Sequence, residues 1–160
     1  MKKYKEVSEE AVACLFKRLK LTLSVAESCS GGLLCHKITN VPGSSKYFRG
    51  GIIAYDNEVK KEMLGVSERI LNKCGAVSKE TASAMAHSIR RIMAADIGLA
   101  ITGIAGPTGG TKVKPVGTVF IGISAKTKNT CRHFVFKGNR RTIKLSASNK
   151  ALNMLREFLE

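Results

Sequence analysis

The stretch LTLSVAESCSGGLLCHKI, Leu21 to Ile38, decides the fold. Leu21, Leu23 and Val25 alternate as in a strand ending near Glu27. Ser28-Cys29-Ser30-Gly31-Gly32 then reads as a tight turn, and Leu33, Leu34 and Ile38 follow at helical spacing. A strand turning on glycine into a helix is half of a β-α-β unit, and such units build parallel sheets. The pattern recurs downstream. Gly51 to Tyr55 reads as a second strand, followed by a helix over Asn57 to Leu64 that Gly65 stops. Ile97 to Thr102 is a short apolar strand running into the glycine-rich segment Gly103 to Gly110.

The remaining segments complete the pattern. Val7 and Ser8 before Glu9-Glu10 announce a first helix, carried by Ala11, Val12, Leu15, Phe16 and Leu19. Ser67 and Ser78 look like helix N-caps, the second opening an amphipathic helix with Ala82, Met85, Ala86, Ile89 and Met93 on one face. Val116 to Ala125 and Thr130 to Phe136 form a hairpin across Lys126 to Asn129, and a last helix carries Ala147, Ala151, Leu152, Leu155 and Leu159. The expectation is one α/β domain over residues 1–160: a mixed, mostly parallel sheet covered on both faces, with the hairpin reversing one strand. Ligands in such sheets bind beyond the carboxyl ends of the strands, where both glycine-rich turns fall.

Composition narrows the function classes. A hydrophobic fraction of 44% and a charged fraction of 24% are ordinary for a globular protein. No apolar run approaches the ~20 residues of a membrane span, and the start MKKYKEVSEE lacks the apolar core of a secretory signal. A cytoplasmic protein without a membrane partner is expected. The five cysteines, Cys14, Cys29, Cys35, Cys74 and Cys131, show no zinc spacing and read as reduced thiols, several of them in the core. No metal or cofactor is expected. The net charge of +15 invites a nucleic-acid reading. Its basic residues are scattered through separate segments and not interleaved with aromatics that would stack bases. A small anionic substrate is favoured over nucleic acid, and association into a homo-oligomer is expected.

Two segments carry candidate chemistry. Ser28 puts a hydroxyl at a strand end, before glycines that admit a substrate and a helix start whose amides suit an oxyanion. The same turn also reads as a plain cap in which Ser30 satisfies the first helical amides. The segment Thr102 to Thr111 offers further backbone amides that can cradle phosphate, but it is neither a Walker motif nor a dinucleotide fingerprint, and an ordinary surface loop fits it too.

Six motifs, AESCSGG (26–32), VPGSS (41–45), GGIIAYDNEVK (50–60), CGAVS (74–78), TGIAGPTGG (102–110) and KPVGTV (114–119), occur together in this order. The chain thereby resembles the CinA C-terminal domain family from about Val7 onward. The resemblance implies a three-layer α/β/α fold. It also implies the activity of the family's stand-alone members, which hydrolyse nicotinamide mononucleotide to nicotinate mononucleotide and ammonia in pyridine-nucleotide salvage. The family's nucleophilic serine falls on Ser28 and its catalytic lysine on Lys60. Tyr55, Thr102, Gly103 and Arg140 fall on pocket positions, with Ser30, Gly31, Gly32, Gly106, Gly109 and Gly110 as further substrate contacts. Longer members carry an N-terminal domain linked to nucleotide pyrophosphatase activity; this chain is expected to lack it.

On this reading Ser28 attacks the carboxamide, a neutral Lys60 takes its proton, and backbone amides after Ser28 hold the oxyanion. Glu27 either orients Lys60 or pairs with a surface cation, and Cys29 is packing. Arg140 and the Gly106 to Gly110 loop are the candidates for the substrate phosphate, and no metal takes part. The rival is a basic nucleic-acid-binding or competence-associated accessory protein without catalysis. Three positions depart from the family pattern: Gly-Asp-Arg reads Gly138-Asn139-Arg140, a frequent arginine is Lys144, and an acidic residue before KPVGTV is Val113.

Overall fold

Ser8 begins the chain's first helix by accepting the Ala11 N–H, and helix α1 (Glu9–Leu19) follows. The computed structural model describes residues 8–160, so Val7, the other half of that start signal, lies outside the described residues. Lys20, in the left-handed region, turns the chain into strand β1 (Leu23–Glu27). The remaining strands are β2 (Phe48–Ile53), β3 (Ile97–Gly103), β4 (Thr118–Ser124) and β5 (Asn129–Val135), arranged in the order β2-β1-β3-β4-β5. β1 pairs in parallel with β2 and β3, whereas β4 is antiparallel to both β3 and β5, so β4 alone runs against the others. This is the mixed, mostly parallel α/β sheet that the sequence pattern implies.

Helices α2 (Leu33–Thr39), α3 (Asn57–Glu62), α4 (Glu68–Cys74), α5 (Lys79–Ile92) and α6 (Arg140–Leu159) complete three layers. Ser67 and Ser78 do cap α4 and α5, accepting from the amides of Ile70 and Thr81. Two boundaries differ from expectation near the site. β2 starts at Phe48 rather than Gly51 and stops at Ile53 rather than Tyr55, because the carbonyls of Ala54 and Tyr55 accept from Lys60. α3 ends at Glu62, before Leu64, and the Gly65 N–H returns to the Lys61 carbonyl.

The two faces of the sheet differ in side-chain size. Leu23, Val25, Leu99, Ile101, Ile121 and Ile123 join the larger core beneath α1, α2 and α6. The alternate positions are small: Ser24, Gly98 and Ser124 lie in one cross-strand row, Ala26, Ala100 and Gly122 in the next. These rows let α5 lie close against the sheet. A Cβ on Gly98 would stand 2.1 Å from the Ala86 carbonyl oxygen, and one on Gly122 2.7 Å from that of Ala82. Met85, Ala86 and Ile89 of α5 pack there with Leu64 and Val66, each fully buried large side chain contributing about 1.5–3 kcal/mol. Of the cysteines only Cys29 is fully buried; Cys14 is exposed and Cys35, Cys74 and Cys131 are half-buried, so fewer serve the core than the sequence suggested. All five are free thiols. No described helix is long and apolar enough to cross a membrane.

β1, β2 and β3 deliver their carboxyl ends to one edge of the sheet. There the Ser28 N–H donates to the Ile101 carbonyl at 2.9 Å and the Ala54 N–H to the Glu27 carbonyl at 2.8 Å, tying three chain segments together.

Candidate active site

The turn after β1 is held by Glu27. Its side chain is fully buried and accepts from the amides of Gly32 (3.0 Å), Leu34 (3.2 Å) and Cys35 (2.7 Å). These are amides that a helix start leaves without intrahelical partners. Glu27 therefore acts as the cap of α2 from a distance, and neither expectation for it holds: it does not hydrogen-bond Lys60 and it pairs with no surface cation among the described residues. Nor is Ser30 the cap, since its hydroxyl is fully buried without a hydrogen-bond partner. Gly31 and Gly32, with φ of 60° and 90°, supply the left-handed backbone the turn requires.

Glu27 also changes the expected oxyanion site. With Gly32, Leu34 and Cys35 committed to it, and the Gly31 and Leu33 amides bonded to the Ser28 and Ser30 carbonyls, the helix start is occupied. In this turn only the amides of Cys29 and Ser30 keep no oxygen acceptor among the described residues.

Ser28 opens onto a cavity of about 250 Å³ together with Tyr55, Gly103, Gly106, Gly109 and Arg140. It is 7% exposed, and its hydroxyl has no hydrogen-bond partner among the described residues. Arg140, at the first position of α6, spans the cavity: one guanidinium nitrogen donates to the Gly106 carbonyl at 2.7 Å and the other to the Tyr55 hydroxyl. Lys60 is 1% exposed, with its Nζ donating to the carbonyls of Ala54 (2.9 Å), Tyr55 (3.2 Å) and Asp56 (3.2 Å). Burial holds its pKa below the ordinary 10.5, partly offset by the negative Asp56. Lys60 does not itself line the cavity; the hydrogen bond to the Tyr55 carbonyl ties it to the rim.

Other candidates lie elsewhere. Thr102 is buried and donates to the Ala76 carbonyl at 2.8 Å, so it ties the strand end to the loop before α5 instead of lining the cavity. Gly110 packs against Val116, where a Cβ would meet the Val116 nitrogen at 2.7 Å. Ser30 is buried away from the cavity, and Gly31 and Gly32 line a neighbouring one. Cys29, by contrast, does line the Ser28 cavity, but it is only 5% exposed and part of the core, and its thiol is pushed up to about 12, chiefly by burial. That suits the packing role expected of it and disfavours a thiolate nucleophile. Among the described residues no three His, Cys, Asp or Glu side chains converge as metal ligands would.

Comparison with known proteins identifies the family and agrees with the fold. The model of the CinA C-terminal domain matches residues 5–159. The chain belongs to this family. A putative competence-damage inducible protein of Desulforudis audaxviator is 48% identical over 96% of this chain, and a CinA-like protein of Syntrophus aciditrophicus 50% identical over 96%. In both cases the match covers 37% of the relative, so the chain spans little more than a third of the length of these proteins. Among solved structures, the competence/damage inducible protein CihA of Agrobacterium tumefaciens superposes with a TM-score of 0.91 at 37% identity, covering 95% of each chain. A CinA superfamily protein of Escherichia coli superposes at 0.88 with 31% identity, covering 96% of this chain and 95% of that one.

Against the CinA pattern, the departure at position 139 has a simple reading. Asn139 is the N-cap of α6, its side-chain oxygen accepting from the Thr142 amide at 3.0 Å, and asparagine caps as well as aspartate. Lys144 extends over the Ser28 turn, its Nζ 3.2 Å from where a Cβ on Gly31 would stand. Val113 is 87% exposed, and nothing in the structure explains it. The family's KPVGTV lysine, Lys114, donates to the carbonyls of Cys74 (3.0 Å) and Val77 (2.7 Å) and so pins the end of α4.

Proposed function

We propose that this CinA-family chain is an amidohydrolase that converts nicotinamide mononucleotide and water to nicotinate mononucleotide and ammonia. The observation that carries the reading is Ser28: an unpartnered hydroxyl at a strand end, on a cavity spanned by Arg140 and Tyr55, the carbonyl of Tyr55 accepting from the buried Lys60. Ser28 Oγ adds to the carboxamide carbon, and its proton passes to neutral Lys60. Lys60 then gives that proton to the departing nitrogen, the C–N bond breaks, ammonia leaves and an acyl-serine remains. Water adds to the ester in the same way, releasing the carboxylate and restoring Ser28.

The surroundings of Lys60 suit this cycle. In the ammonium form the three carbonyls take all three N–H groups and favour the charge, against the burial that opposes it. To act as base, neutral Lys60 gives up one carbonyl and turns that position toward Ser28 Oγ; once protonated, it swings back to acceptors already in place. The amide of Cys29, which lines the cavity, is the candidate to stabilise the oxyanion.

The test is ammonia release from nicotinamide mononucleotide by purified protein. Wild type should form ammonia and nicotinate mononucleotide in equal amounts, and Ser28→Ala should lower the rate by about a thousandfold or more. Absence of ammonia with folded wild type would refute the reading.

A further inference from the structure

We propose that the cavity beside the Ser28 site is a phosphomonoester pocket, in which Lys144 and Arg141 determine specificity for a phosphorylated substrate. The Ser28 cavity, about 250 Å³, falls below the range of about 300–1,000 Å³ usual for ligand sites. A second cavity of about 740 Å³ adjoins it, lined by Gly31, Gly32, His36, Arg140, Arg141 and Lys144, with Arg140 common to both. A nucleotide that presents its amide to Ser28 outgrows the first cavity, and past Arg140 it enters the second.

The charge of this second cavity points to an anion. Arg140, Arg141 and Lys144 supply three cations, no carboxylate lines the cavity, and none of the three makes an ion pair with a carboxylate among the described residues. Arg141 and Lys144 are three residues apart on α6, and Arg140 and Lys144 four apart, spacings at which like charges repel on a helix. A ligand of opposite charge relieves that repulsion. Arg140 is held by Gly106 and Tyr55, which leaves Arg141 and Lys144 as the groups to meet a phosphoryl oxygen. Lys144 reaches the pocket over Gly31, its Nζ 3.2 Å from where a Cβ there would stand. The anion is thus assigned to this cavity and not to the Gly106 to Gly110 loop.

The inference rests on the amidase reading for the identity of the substrate but not for the pocket itself, and two measurements separate them. In the first, the imidazole resonances of His36, exposed on this cavity, are followed by NMR while ribose 5-phosphate or ribose is added. Ribose 5-phosphate should shift them saturably and ribose should not. Lys144→Gln or Arg141→Gln should weaken the binding about tenfold or more, the loss of one charge-assisted contact. No shift, or equal affinity in the variants, overturns the pocket.

The second measurement compares kcat/KM for nicotinamide mononucleotide with that for the dephosphorylated nucleoside. The preference for the nucleotide should fall by about tenfold or more in Lys144→Gln, through KM, and be rescued by Lys144→Arg. Equal losses on both substrates would mark Lys144 as structural and overturn the inference. Sugar phosphate bound in this pocket, without hydrolysis of either amide by wild type, would remove the amidase reading and leave the pocket standing.

Discussion

Replacing Glu27 by glutamine keeps the side chain's shape and alters only its hydrogen bonding. One oxygen accepts from the Gly32 and Leu34 amides, the other from that of Cys35. An amide offers a single oxygen. Turned to serve Gly32 and Leu34, its NH2 group confronts the Cys35 N–H; turned the other way, two amides lose their acceptor. A buried donor left unsatisfied costs about 1–3 kcal/mol, and the surviving bonds lose the roughly 1 kcal/mol by which a charged acceptor exceeds a neutral one. The sum is about 3 kcal/mol. For a domain of this size each kcal/mol moves Tm by about 2–4 °C, so Glu27→Gln should lower Tm by about 6–12 °C. Thermal unfolding followed by circular dichroism measures this. The opposing effect is relief from burying a charged group, which favours the neutral variant. A Tm within about 2 °C of wild type would mean that this relief cancels the lost hydrogen bonds, and the assignment of Glu27 as the tie that holds α2 would fall.

Cys29→Ala should retain most of the amidase activity that Ser28→Ala loses; the reverse ranking, with both variants folded by circular dichroism, would move the nucleophile to Cys29. Lys60→Arg should be inactive, because arginine holds its proton too tightly to act as a base, and an active Lys60→Arg enzyme would reassign Lys60 to positioning. Because burial lowers the folded-state pKa of Lys60 below the ordinary 10.5, the unfolded chain binds more protons between the two values. Wild-type stability should therefore rise with pH over that alkaline interval relative to Lys60→Met, and parallel curves of Tm against pH would contradict the lowered pKa. The +15 net charge should give only weak DNA binding that collapses as salt rises; sequence-selective or salt-resistant binding in a gel-shift titration would favour the accessory-protein reading.

Most of the architecture was legible because each element announces itself locally. Ser8, Ser67 and Ser78 are caps where the pattern puts them, and the apolar runs of β1 and β3 end at the glycine-rich turns as expected. What the sequence did not announce has one cause: polar side chains that satisfy distant backbone. Glu27 reaches five to eight residues forward, Thr102 reaches 26 residues back to Ala76, and Lys114 reaches 40 back to Cys74. No local rule anticipates such bonds, so the turn after β1 reads locally as capped by Ser30, and only the family resemblance singles out Thr102. Similarly, Tyr55 and Arg140 are 85 residues apart, and only the family motifs put them in one site. Lys144 stood out in the sequence merely as a departure; its importance depends on the cavity that α6 forms with the Ser28 turn.

These long-range ties also account for how the site combines a free nucleophile with a rigid frame. Glu27, Lys60, Thr102 and Lys114 all direct their hydrogen bonds to backbone groups of the turns and loops at this end of the molecule. Each satisfies amides or carbonyls that irregular chain would otherwise leave unpaired, and buried backbone polar groups without partners are costly. With the frame fixed in this way, Ser28 Oγ need not serve as a cap or a tie, and it stays unpartnered on the cavity. A hydroxyl already committed to the backbone would have to break that bond before attacking a carbonyl. The placement of Glu27 is therefore a functional matter as well as a structural one: by capping α2 it relieves both nearby serines of that task, and Ser28 is the one the cavity exposes.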